Sequence, residues 1–251
     1  MVPQDENEEV KLLTYFASPF GMRVEQSLLL KGVNYENIQV NLREKSDIML
    51  RSNPVFKNIP VLIHKGKPIC ESLIIVQYID ETWPASPRLL PLDPYERALA
   101  RFWADFIDKQ VFIIGREMIL STGEIHEKAK EKLKDSLETI DGTLKKLYEE
   151  QKGPLFGGEN VNVVDLVLGP IVVSKRAYEA VGEYDLGGAE QLPNLFKWME
   201  AFKASPAAAV LPHADKMKQI YVTVHNNFQA SLGKIQARYI DDNGVVKSRY
   251  R

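Results

Sequence analysis

The chain has 251 residues, 45% apolar and 26% charged, the profile of an ordinary soluble globular protein with room for one large domain or two small ones. Lys and Arg (32) are scattered among Asp and Glu (34) for a formal net charge of −2, so nothing draws it generally to nucleic acid or an anionic membrane. Its one cysteine, Cys70, excludes an intrachain disulfide and argues against a thiolate zinc site.

The opening "MVPQDENEEV" is acidic and polar, opposite in character to a secretory or transit peptide, and residues 1–9 read as a disordered lead-in. "VKLLTYF" (10–16) suits one strand. Ser18-Pro19 then starts a helix whose apolar positions are Val24, Leu28 and Leu29, with Gly32 as its stop. "VNYENIQVNL" (33–42) alternates as a second strand, and the length of the connection favours a parallel β-α-β crossover. "REKSDIMLRSNP" is polar with one helical turn. "IPVLIH", "KGK" and "PICES" read as a hairpin turning at Gly66, and a third helix starts at Ser72. The first 84 residues therefore order as β-α-β-α-β-β-α, and residues 85–94 form a proline-rich linker.

After the linker the pattern is helical throughout, over 95–228. In "PYERALARFWADFIDKQVFIIGREMI" the stripe Ala98, Leu99, Phe102, Trp103, Phe106 and Ile107 is the predicted core face, with Phe102 and Trp103 in the core. Leu133, Leu137, Ile140, Leu144 and Leu147 repeat the pattern. "VVDLVLGPIVVSKRAYEAVG" is apolar nearly all round and reads as the buried central helix, opened by the cap pair Asn162 and Asp165. The apolar stretch 161–173 is too short to span a bilayer. Residues 229–251 carry no core-facing pattern and read as a loosely attached tail.

Two helix starts bear on chemistry. Ser at an N-cap followed by Pro at N1 begins helices anywhere, and stabilises them by about 1 kcal/mol. The same bare N–H groups and dipole end favour an anion, including a thiolate. Arg23, five residues on, either adds positive potential or is a solvated helix residue. Ser72 is likewise a good N-cap that could receive a carboxylate. His64, His126, His213 and His225 have no metal-ligand spacing, and no dinucleotide or phosphate-loop glycine pattern occurs.

The order of elements, with "SPFGMRV" (18–24), "NPVFKNIPVLIHKGKPICES" (53–72), "IVQYIDETWP" (75–84) and "ALARFWADFIDKQV" (98–111), resembles a cytosolic glutathione transferase of the plant tau class over roughly residues 10–205. The resemblance implies an α/β thioredoxin-like domain (10–84) that binds glutathione and an all-α domain (95–228) that binds the acceptor. It implies conjugation of the glutathione thiolate to hydrophobic electrophiles, with glutathione peroxidase as a side activity. Glutathione is then a cosubstrate, no metal or other cofactor is needed, and the protein is a cytoplasmic homodimer.

The same resemblance assigns roles. Ser18 donates to the glutathione sulfur, with Arg23 beside it. Lys45 meets the glycyl carboxylate. Ile59, ahead of a cis Pro60, pairs its backbone with the cysteinyl part of the peptide, as an added strand would. Glu71 and Ser72 hold the glutamyl end. Tau enzymes commonly carry a second lysine directly before Ile-Pro; this chain has Asn58 there, with Lys57 one residue earlier. The electrophile pocket falls between Phe16, Phe20 and one face bearing Phe112, Arg116 and Ile119, the last standing where tau enzymes often have tryptophan. Classes that form mixed disulfides with glutathione use cysteine where this chain has Ser18, so Cys70 reads as a small buried apolar residue. Two other readings stay open: a non-catalytic ligandin, and thiol-disulfide exchange, which Ser18 argues against.

Overall fold

The computed structural model describes residues 9–41, 46–85, 87–150 and 152–239. The expected disordered lead-in therefore lies almost wholly outside them, as do Lys45 and the tail from 240 onward.

Strand β1 (Val10–Thr14) is followed by α1 (Pro19–Leu30), β2 (Glu36–Gln39), α2 (Asp47–Ser52), β3 (Val61–His64), β4 (Lys67–Cys70) and α3 (Ser72–Thr82). The sheet order is β2-β1-β3-β4, with β2 parallel to β1 and the β3-β4 hairpin antiparallel. Side chains alternate along β1: Val10 and Leu12 pack with Val24 and Leu28 of α1 and Ile75 and Ile79 of α3, while Leu13 packs on Met49 of α2. Lys65 (φ 52) and Gly66 (φ 75) turn the hairpin in the two-residue form whose twist suits its strands. Both leading strands are shorter than the apolar runs that predicted them, because each run continues past the last paired residue.

The linker is held by one buried carboxylate. Asp80 of α3 accepts from the N–H groups of Leu89 (2.8 Å) and Leu90 (3.1 Å) and pairs with Lys31 Nζ at 2.7 Å. Beyond it lie α4 (Pro94–Ile107), a π-helical turn (Asp108–Ile113) and α5 (Ile114–Ile119). Then follow α6 (Gly123–Glu149), α7 (Val163–Leu168), α8 (Ile171–Gly182), α9 (Pro193–Ala204), a 3-10 turn (Pro206–Val210) and α10 (Ala214–Tyr239). Their core joins Leu133, Leu137, Ile140 and Leu144 of α6 to α7, Trp198 and Phe202, and reaches Ala17, Met22 and Val76 of the sheet unit.

Four expectations change here. The face of α4 turned inward is Ala100, Ala104 and Ile107, while Leu99 is 37% and Phe102 58% exposed. Alanines let α4 lie close to α7, and that approach leaves no room for the large side chains. The predicted central helix is two, broken at Gly169-Pro170, since proline carries no N–H to continue the ladder. Helix α10 continues past 228 to Tyr239 where a tail was expected: a helix needs propensity, and a core-facing stripe is not required. Leu29 is 41% exposed, on the outer side of α1.

The Asn162–Asp165 pair forms a full capping box. Asp165, fully buried, also accepts from the N–H groups of Phe156 (2.8 Å) and Gly157 (3.0 Å) and from Trp198 Nε1 (2.8 Å). Burial raises its carboxyl above the usual range, and these donors oppose the shift. Asp165→Ala orphans all of them and should lower stability by about 3 kcal/mol or more, read as the urea unfolding midpoint. Asp165→Asn should lose a comparable amount, because its amide nitrogen would face N–H donors. An unmoved midpoint would contradict this account.

Candidate functional site

One end of the sheet collects the segments singled out above. Leu13 of β1, Val61 of β3 and Cys70 of β4 stand in register across it. The chain beyond β1 leads to Ser18, the residues before β3 are Ile59 and Pro60, and those after β4 are Glu71 and Ser72. Such a strand end, where parallel and antiparallel neighbours diverge, is a natural cleft.

Ser18 is the N-cap of α1, with extended backbone (φ −86, ψ 116) and Pro19 at N1. Its Oγ accepts from Gly21 N–H at 3.2 Å, which leaves the hydroxyl hydrogen free to donate elsewhere. Glycine is required at 21, since an added Cβ would sit 2.1 Å from Thr14 Oγ1. Ser18 is 9% exposed, and no acidic side chain occupies the first turn of α1, so its dipole is left uncompensated.

Ser72 is not the N-cap of α3. Glu71 takes that position with φ 70 as the chain leaves β4, and Ser72 is the first helical residue. Its N–H is still one of the donors that the helix cannot satisfy itself. Glu71 is exposed beside it.

Arg23 is neither solvated nor a source of free positive charge. The side chain is wholly buried, ion-paired to Asp108 at the start of the π-helical turn, and its Nη1 donates to Ser72 Oγ at 3.3 Å. Its guanidinium lies 5.0 Å from the Phe20 ring and 5.4 Å from that of Phe112. Burial pulls its pKa down and Asp108 pushes it back up, leaving it charged but neutralised locally. Arg23 thus joins the start of α3 to α1 and both to the helical unit.

The Ile59-Pro60 peptide bond is cis. Ile59 precedes β3, so its backbone groups lie outside the ladder. Asn58 is exposed, with its carbonyl accepting from Asn53 Nδ2 at 3.0 Å, and Lys57 is exposed with φ 53. Lys45 lies outside the described residues. Cys70 is half-buried rather than buried, with Sγ 3.5 Å from the Ser52 carbonyl. Burial and then Glu71 push its thiol pKa up, away from the reactive thiolate.

Phe112, Arg116 and Ile119 do not share one environment. Phe112 is 1% exposed beneath Arg23, Arg116 is exposed, and Ile119 is 7% exposed in the helical core with its carbonyl accepting from His225 Nδ1 at 2.8 Å. The π-helical turn changes the residue spacing per turn just where regular α-helical spacing was assumed. Sequence reasoning also missed Asp108, which opens the π-helical turn just after α4, and Lys216 of α10, whose Nζ lies 4.1 Å from the Phe16 ring centroid. Neither carries a local signal. Among the described residues no three His, Cys, Asp or Glu side chains cluster to hold a metal, and no helix is long and apolar enough to cross a membrane.

Comparison with known proteins bears on the family and the fold. Residues 8–81 match the glutathione S-transferase N-terminal domain and residues 102–206 the glutathione S-transferase C-terminal domain. Probable glutathione S-transferase parA of Nicotiana tabacum is 42% identical over 84% of this chain and 93% of its own. Glutathione S-transferase U17 of Arabidopsis thaliana is 42% identical over 85% and 94%. Among solved structures, the Tau class enzyme of mango, Mangifera indica, superposes with a TM-score of 0.78 at 40% identity over 86% of this chain and 98% of that one. Rice GST1 in complex with glutathione gives 0.79 at 32% identity, over 89% and 99%.

Because Arg23 is buried against Asp108, removing one partner strands the other charge. Asp108→Ala should cost about 3–5 kcal/mol in chemical denaturation, and the double variant Arg23→Met with Asp108→Leu should recover much of that loss. If the single and double variants unfold alike, the pair does not act as a unit.

Proposed function

Because the chain belongs to the glutathione S-transferase family, in its plant tau class, we propose that the strand-end cleft is its active site and that Ser18 activates the thiol there. The protein is a glutathione transferase that joins the glutathione thiolate to hydrophobic electrophiles. The observation that carries the reading of Ser18 is its hydrogen-bond polarity. With Oγ already accepting from Gly21, the hydroxyl turns its hydrogen outward, at a dipole end that no acidic side chain compensates. A sulfur placed there receives an O–H donor and a favourable field, both stronger for the thiolate than for the thiol. Ser18 need not take a proton; the thiol loses it to solvent.

Glutathione then lies along the cleft. Ile59 supplies backbone groups to the cysteinyl peptide, and the unsatisfied N–H groups at the start of α3, with Ser72, receive the glutamyl carboxylate. Ser72 Oγ, accepting from Arg23, keeps its own hydrogen for that carboxylate. Glu71 faces the glutamyl ammonium, and Lys57 and Asn58 border the glycyl end, the task that the family resemblance also gives to Lys45. Arg23 touches no substrate: it positions Ser72. Phe16 and Phe20 wall the acceptor side. Phe112 supports that wall through Arg23, and Arg116 stands at its outer rim. The reaction needs no metal, the raised thiol of Cys70 disfavours disulfide exchange through it, and a single unpaired cysteine suits a reducing cytoplasm.

The functional unit is a pair of these chains. The outer side of α4 presents Leu99 and Phe102, and Arg101 donates to Gln77 across to α3, where Ile74 is 55% exposed. Between α4, α6 and the loop before α7 runs a groove of about 640 Å³, lined by Leu99, Trp103 and Phe156 together with the charged Arg88 and Lys152. A second copy of the chain would cover this face.

Ser18→Ala should lower turnover of a chlorodinitrobenzene acceptor about a hundredfold while glutathione still binds within a few-fold of wild type. The pH at which the bound thiol ionises should rise by about one to two units, since the lost donor favoured the charged form. Unchanged turnover would remove Ser18 from the mechanism, and wild-type glutathione binding without turnover would favour a ligandin. Separately, Phe102→Glu should shift sedimentation from dimer to monomer.

A further inference from the structure

Phe16 is held from two sides by groups with no other evident task. The chain leaves the sheet after Thr14, and the Phe16 N–H donates to Gln39 Oε1 at 2.9 Å. Gln39 is the last residue of β2, in register with Thr14. Its Nε2 donates to Asn37 Oδ1 at 2.7 Å, and Asn37 Nδ2 donates to Glu25 Oε1 at 2.8 Å. Asn37 and Gln39 are two residues apart on one strand and so share a face.

The polarity of this chain is set at its far end. Glu25, on α1 and 8% exposed, can only accept when ionised. Asn37 must then turn its NH₂ to Glu25 and its oxygen to Gln39. Gln39 in turn must present its own oxygen to Phe16. Reversing any amide would set donor against donor or oxygen against oxygen. On the other side, Lys216 of α10 rests its ammonium on the Phe16 ring, 4.1 Å from the centroid.

We propose that Gln39, backed by Asn37 and Glu25, and Lys216 form a clamp on Phe16 that determines which electrophiles the site accepts. This rests on the reading of Phe16 as a wall of the acceptor pocket. Gln39 is a positioning residue that fixes the backbone two residues before Ser18. Lys216 fixes the ring and occupies the face on which a flat aromatic acceptor would otherwise stack. Acceptors bearing a carboxylate can meet that ammonium, whereas neutral flat acceptors must displace it.

The clamp is testable by binding alone. Glutathione and S-hexylglutathione are titrated by calorimetry into wild type, Gln39→Ala, Glu25→Gln and Lys216→Met, because the hexyl chain enters the acceptor side and the peptide does not. Gln39→Ala should weaken S-hexylglutathione about fivefold, the equivalent of one hydrogen bond, with glutathione within about twofold. Glu25→Gln should move it the same way by less, and Lys216→Met by about two- to fivefold. Amide hydrogen exchange at Phe16 should quicken about fivefold or more in Gln39→Ala and stay put at residues of β3. In turnover, Lys216→Met should lower the preference for a carboxylate-bearing aryl enone over chlorodinitrobenzene. An S-hexylglutathione to glutathione affinity ratio that is the same in wild type, Gln39→Ala and Lys216→Met overturns the proposal. A wild type that binds both ligands but conjugates nothing overturns the catalytic reading instead, and leaves the affinity ratio to decide the clamp.

Discussion

The structure depends on a charge placed where no water can reach it. Arg23 sits on α1, five residues past Ser18, and its guanidinium is buried between the sheet unit and the helical unit. Burying an unpaired guanidinium would cost several kcal/mol, so the helical unit must bring Asp108 to it. It does so at the start of the π-helical turn, 85 residues away in sequence, with the rings of Phe20 and Phe112 close to the same group. A buried ion pair adds little net stability compared with apolar residues of the same volume, and what it supplies is a single allowed register. The docking seen here brings Asp108 and Ser72 to Nη1 of Arg23.

That docking also orders the cleft. Arg23 donates to Ser72, so the helix start after β4 is referenced to the helix start after β1. Both helices begin at the same end of the sheet because β1 and β4 run the same way, each antiparallel to the β3 between them. Two dipole ends then face one space with no acidic side chain in the first turn of either helix. A tripeptide with a thiolate at its centre and a carboxylate at its end matches that field. Cap and proposed chemistry are therefore compatible at Ser18: its lone pair serves the helix, which leaves its hydrogen for the sulfur that the proposed function puts there.

The helical unit shows how packing distance selects side chains. On α4 the small Ala100 and Ala104 are buried while Trp103 and Phe106 are only half-buried and Phe102 is exposed, an inversion of what size alone would predict. Phe102, Trp103 and Phe106 still interact, edge to face at centroid distances of 5.2 and 5.5 Å, as a connected patch beside the long groove. Trp103 and Phe106 rest on the core from outside, and Phe102 is the one of the three that is exposed.

What the sequence determined by itself is the set of features made by residues within a few positions of one another. Ser18-Pro19, the Asn162–Asp165 box, the Lys65-Gly66 turn and the leucine stripe of α6 are legible because a cap, a turn and a helical face are each local geometry. The order β-α-β-α-β-β-α follows from them, and with the motif resemblance so does the family. Tertiary structure decided the rest: that Arg23 is buried, which face of α4 is inside, that Glu71 and not Ser72 caps α3, and how Phe112, Arg116 and Ile119 point beyond the π-helical turn. It also brought Gln39 and Lys216 to Phe16 from residues 23 and 200 positions further along the chain. Burial and pairing depend on which distant surface arrives, and no pattern of neighbouring residues carries that information.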